Sequence, residues 1–136
     1  METALRVDER PPSIILVLED VEETRTGIER LLAASGYQVI ARRNEDDAVE
    51  KARGHSSDMI LVSLGHSRAQ RIRAASRIRK DAGLADLVPV VIFCDPDLKE
   101  GEERSIAENM HLARPDNFDQ LRDLIRRLLE TAPRDR

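Results

Sequence analysis

Glu19 and Asp20 stand side by side directly after the apolar run Ser13-Ile-Ile-Leu-Val-Leu18. Adjacent carboxylates are the donor type that a hard cation such as magnesium takes. The same pair has a plainer reading, in which Asp20 caps the following helix and Glu23, three residues on, closes a capping box. Four more residues with chemistry of their own follow apolar runs: Ser63 after Met59–Val62, Cys94 after Val88–Phe93, and His111 and Arg114 in and after a short run from Met110. A serine hydroxyl is a poor nucleophile unless a base lies beside it, and Ser63 has no evident base among its neighbours. Cys94 is the single cysteine, which excludes an internal disulfide and a zinc site built from thiolates. Packing is the plainer role for its thiol, since no cationic neighbour in sequence activates it. His55, His66 and His111 do not fall at metal-ligand spacing and read as loop or surface residues.

The elements that must position these residues alternate along the chain. Ser13–Leu18, Tyr37–Ala41, Met59–Val62, Val88–Phe93 and a minimal Met110–Leu112 read as strands. Most are continuous apolar runs, the pattern of strands covered on both faces. Between them lie a helix over about 22–35 ending at Gly36, a second over Asn44–Arg53 with a cap residue, early acids and late bases, and a basic third over Ala69–Lys80. Asp95-Pro96 opens a short fourth helix that carries Gly101 and several glutamates. The last helix presents Phe118, Leu121, Ile125, Leu128 and Leu129 on one stripe. Parallel strands need crossover helices, so the expected architecture is a five-stranded parallel sheet in a three-layer α/β/α sandwich. In such sheets the site lies beyond the carboxyl ends of the strands, which selects Glu19, Asp20, Ser63, Cys94 and Arg114. The domain is expected over 13–131, with tails at 1–12 and 132–136.

Composition narrows the function classes. One domain accounts for 136 residues, and 40% hydrophobic residues suffice for one core. Tyr37, Phe93 and Phe118 are the only aromatic residues, so there is no platform on which single-stranded nucleic acid could stack. A net charge of −4 favours neither a DNA backbone nor an anionic membrane. No apolar run is long enough for a membrane span, and the polar start lacks a signal-peptide pattern, so a cytoplasmic protein is expected. The third helix is the local exception, with Arg68, Arg71, Arg73, Arg77, Arg79 and Lys80 and no acid among them. It reads either as a solvated face or as a dock for an acidic partner.

Leu18-Glu-Asp20, Ser57-Asp-Met-Ile-Leu-Val-Ser-Leu64, the stretch from Arg77 to Phe93, and Arg114-Pro115 occur in the order and at the spacings of one family. From Ile14 to Glu130 the chain resembles the receiver domains of response regulators in two-component signalling, whose fold is flavodoxin-like. The resemblance implies an acidic pair at Glu19 and Asp20, an acceptor position at Ser63, a phosphate-sensing position at Cys94, a switching aromatic position at His111, and a lysine position at Arg114 before a cis proline. It also implies magnesium held by the acidic pair and the acceptor aspartate. Partners would be a sensor histidine kinase, another regulator or a second copy, met on the face of the fourth helix, fifth strand and last helix.

The departures concern chemistry. Ser63 is a neutral alcohol where an ionised aspartate stands in the family, so acyl-phosphate formation is not available there. Cys94 is a weak donor where a hydroxyl is usual. Arg114 brings a planar fork in place of an ammonium, and Ser67 replaces a usual proline. Two carboxylates, Glu19 and Asp20, face one cation, Arg114. The expectation is that Arg114 reaches toward the acidic pair and partly substitutes for the metal, and that Asn109 supplies a left-handed turn in a shortened link from Cys94 to Arg114. The resulting reading is a non-enzymatic signalling module that works by phosphorylation-independent binding, with no cofactor. The alternatives are a relay protein using another acceptor, such as Asp20 or Asp95, and a Toprim-like metal-dependent nucleic-acid enzyme built on Glu19, Asp95 and Asp97. Helix-start chemistry at Asp95-Pro96 explains the last two acids without a metal.

Overall fold

The computed structural model of the chain describes residues 12–54, 57–63, 67–84, 88–93, 97–107 and 109–131. In order these form β1 (Ile14–Leu18), α1 (Glu22–Ala34), β2 (Gln38–Arg42), α2 (Glu45–Arg53), β3 (Met59–Val62), α3 (Arg68–Asp81), β4 (Val90–Phe93), β5 (Glu103–Ala107), β6 (Met110–Ala113) and α4 (Phe118–Thr131). The sheet runs β2-β1-β3-β4-β6-β5, with the first five strands parallel and β5 antiparallel to β6. The expected five-stranded parallel sheet is therefore present, extended by one strand at its edge.

Period-two alternation sends each central strand's side chains to both faces, and both faces are covered. Leu16, Leu18, Ile60, Val62, Ile92 and Leu112 pack on one side with Ala48, Ala52, Ala74, Ala75 and Ile78. Those alanines let α2 and α3 lie close to the sheet. On the other side Ile15, Val17, Met59, Leu61, Val91 and Phe93 meet Ile28 and Leu32 of α1 and Leu121, Leu124, Ile125 and Leu129 of α4. A fully buried aliphatic side chain of this kind contributes roughly 1.5–3 kcal/mol.

Local signals start most helices. The Asn44 side chain accepts from the Asp47 amide, and Ser67 accepts from the Gln70 amide. Asn117 does the same for Gln120. Arg77 of α3 donates to Glu45, Asp46 and Asp81, tying α3 to the first turn of α2. These three hydrogen bonds raise the guanidinium's already high pKa. Arg68 pairs with Asp97 and Arg79 donates to the Val88 carbonyl. Much of the basic character of α3 is thus spent inside the molecule.

The largest correction lies after β4. The expected fourth helix gives way to β5, and the expected minimal fifth strand becomes one arm of a hairpin with it. Gly101 (φ 84) and Asn109 (φ 57) both adopt the left-handed conformation. Glycine accepts that backbone freely and asparagine tolerates it. Two such reversals bracketing 102–108 fold the segment back on β6, and a glycine inside a helix would have cost about 1 kcal/mol. Asn109 fills the turn role expected of it.

Candidate functional site

The site is assembled by the sheet ladder. Leu18 is in register with Val62 across β1 and β3, and the Ser63 amide extends that ladder by donating to the Leu18 carbonyl at 3.0 Å. On its other side the Glu19 amide donates to the Arg42 carbonyl of β2 at 3.0 Å. Glu19 and Ser63 therefore lie side by side just beyond the strand ends, with Glu19 only 5% exposed.

Every polar group of Glu19 has a partner. The Ser63 hydroxyl donates to Glu19 Oε1. The Val21 amide, at the start of α1, donates to Oε2 at 3.0 Å. The Arg25 guanidinium donates to the Glu19 main-chain carbonyl at 3.1 Å. The positive end of α1 and the Arg25 charge both favour an anion here.

Asp20 behaves differently. It is exposed, and the N-cap of α1 is Val21, with no side-chain cap hydrogen bond. The capping-box reading of Asp20 is therefore not realised. The cation expected to meet the acidic pair is elsewhere too. Arg114 donates to the Leu98 carbonyl at 2.8 Å, and among the described residues it forms no ion pair with Glu19 or Asp20. Register explains this. Leu18, Val62, Ile92 and Leu112 share one row of the sheet, which places Arg114 two strands from Ser63 and beside the segment leading into β5. Its main chain is bound there as well, since its amide donates to the Glu102 carbonyl and its carbonyl accepts from the Gly101 amide. The Arg114–Pro115 peptide is trans, not cis as the resemblance implied.

His111 lies between Val91 of β4 and Ser105 of β5. Burial pushes its imidazole below the usual histidine range, while the nearby Glu103 carboxylate pulls the other way. Cys94 and Asp95 lie outside the described residues. Asp97, the other acid of the nucleic-acid enzyme reading, is exposed and sits 3.8 Å from Arg68.

Two functional residues escaped the sequence reading. Arg25 looked like one helix-surface cation among several. Gln120 donates to the Gly101 carbonyl and accepts from the Asp116 amide, strapping the turn before β5 to the start of α4. Asn117-x-x-Gln120 was legible as a helix-start signature, but the long-range contact was not. A separate cleft of about 340 Å³ is lined by Ser35, Tyr37, Asp119, Arg122, Asp123 and Arg126, and its arginines are paired with its aspartates or their helix neighbours.

The residues present do not fit a magnesium site of the receiver type. Such an ion draws on carboxylates. Here Ser63 offers a neutral hydroxyl whose proton is directed at Glu19, and both Glu19 oxygens are taken by donors from the chain.

Known proteins place this geometry. No protein-family model matches the chain. The polar-differentiation response regulator DivK of Brucella anthropi is 29% identical over 93 residues, covering 68% of this chain and 75% of DivK. The transcriptional regulatory protein PdtaR of Mycobacterium tuberculosis is 27% identical over 115 residues, covering 84% of this chain; the chain spans only 55% of PdtaR. Among solved structures, the response regulator TrrA of Thermotoga maritima in complex with Mg(2+)-BeF superposes with a TM-score of 0.64 at 21% identity, over 85% of this chain and 98% of that one. The complex of the histidine kinase ThkA with TrrA matches with a TM-score of 0.66 at 20% identity, over 86% and 98%. The receiver domain of the hybrid histidine kinase CckA matches at 0.60 and 18%, over 86% and 99%.

The parallel core and these distant relatives give the chain the receiver-like α/β fold and make it similar to response regulators of two-component signalling. Among the described residues, no helix is long and apolar enough to cross a membrane.

Proposed function

We propose that this receiver domain is a non-enzymatic module that binds a signalling partner without itself being phosphorylated. The supporting observation is the Ser63–Glu19 pair. At the acceptor position a hydroxyl stands in place of a carboxylate nucleophile, and it acts as a donor to the buried glutamate. A serine attacks phosphorus only when a base removes its proton, and an alcohol's pKa lies far above neutrality. The partner we favour is a sensor histidine kinase or another regulator. The resemblance to TrrA, which has been seen in complex with the histidine kinase ThkA, supports the kinase.

The test is incubation with a small phosphodonor and magnesium, followed by intact-mass measurement. The wild type is expected to gain no phosphoryl group, and Ser63→Asp to gain one. An acid-labile phosphoryl adduct on the wild type would overturn the proposal. Peptide mapping of such an adduct to Asp20, which is exposed at the same end of the sheet, would establish a relay function through a different acceptor.

A further inference from the structure

We infer that the Ser63 hydroxyl holds the buried Glu19 carboxylate in place of a divalent cation, so that the carboxyl end of the sheet keeps its conformation with or without magnesium. The inference shares the Ser63–Glu19 pair with the reading proposed above but goes beyond it, since it concerns what stabilises Glu19 rather than what attacks phosphorus.

Donor accounting carries it. A buried carboxylate left with an unpaired oxygen is expensive, so each oxygen of Glu19 needs a partner. Oε2 has the Val21 amide at 3.0 Å. Among the described residues, Oε1 has the Ser63 hydroxyl as its donor. That hydroxyl has a single proton to give, and the ladder bond from the Ser63 amide to the Leu18 carbonyl fixes where it is given. Arg25, bound to the Glu19 carbonyl at 3.1 Å, and the start of α1 supply positive potential without an ion.

An aspartate at the same place would reverse every term. An ionised carboxylate accepts only, so Glu19 Oε1 would lose its donor, and two like charges would lie on neighbouring strands at one depth. That arrangement requires a cation. Serine removes the requirement with a neutral donor of smaller volume.

Thermal unfolding of the full chain in a chelator and in millimolar magnesium tests this. The wild type is expected to melt at the same temperature in both. Ser63→Ala is expected to melt lower by roughly 3–8 °C in both, since the donor is gone and no ligand replaces it. Ser63→Asp is expected to melt low in chelator and to recover with magnesium, because a ligand that binds only the folded state stabilises it by mass action. Amide shifts of Glu19, Val21 and Ser63 in the wild type, followed during a magnesium titration, give an independent readout should Ser63→Asp fail to fold. They are expected not to move. A magnesium-dependent rise in wild-type melting temperature, saturating shifts at those amides, or a Ser63→Ala protein as stable as wild type would each overturn the inference. None of these outcomes bears on phosphodonor labelling, so the two proposals fail separately.

Discussion

Ser63 and Arg114 occupy the same end of the sheet, two strands apart, and the structure around them departs from expectation to different degrees. At Ser63 the parallel sheet is as the sequence led one to expect. The register of β1 against β3 sets Ser63 beside the buried Glu19, within the central strands of the sheet. At Arg114 the surroundings are rebuilt. A strand forms where a helix was expected, and the Arg114 guanidinium, which the charge count directed toward the acidic pair, instead holds the turn before that strand. The central strands are hydrogen-bonded on both sides and covered on both faces, so a change there must be local. The segment after β4 forms the sheet's margin, where β5 pairs on one side only and its residues are largely exposed. At such a margin a whole element can be exchanged while the core stays intact.

This contrast can be broken or sharpened by substitution. The largest effect is expected in the centre. Leu61→Ala, at a fully buried position, should cost about 2–5 kcal/mol in urea unfolding. Ile106→Ala in β5 should cost about 1 kcal/mol or less, because its site is partly exposed. Equal costs would mean that β5 belongs to the core.

Next comes the site itself. Ser63→Ala leaves Glu19 Oε1 without its donor and should cost about 1–3 kcal/mol by the same measurement, the penalty of an unsatisfied buried acceptor. Arg114→Ala should cost about 1 kcal/mol, the value of an ordinary hydrogen bond. Its distinctive signature is spatial. Amide hydrogen exchange should quicken over 98–107 and stay unchanged at 15–19, whereas joint acceleration would show that the two regions are coupled after all.

The smallest effect is electrostatic. The His111 pKa is lowered by burial in the folded state, so the unfolded chain binds its proton more readily. The contribution of His111 to stability is thus present above the unfolded value of about 6.5 and is lost as pH falls through the folded value. His111→Phe should flatten that part of the stability profile between about pH 7.5 and pH 5.5, read from melting temperatures of variant and wild type. An unchanged slope would assign the acid sensitivity to other groups.

Much of the molecule was legible from residue order alone. Continuous apolar runs in β1, β3 and β4 announce strands buried on both faces, and Asn44 and the 3.6-residue stripe of α4 announce their helices. The turn residue Asn109 could likewise be read directly. These signals are local, each decided by a side chain and its near neighbours.

What the sequence could not settle was direction. Whether Glu102 to Ala107 coils or extends depends on β6 being there to accept its hydrogen bonds, and Arg114 turns to Leu98 because the register places it beside that carbonyl and two strands from Ser63. The partner of Glu19 Oε1 is forty-four residues away. Residue types determined which groups could pair; only the folded sheet, by fixing distances between segments remote in the chain, decided which of them did.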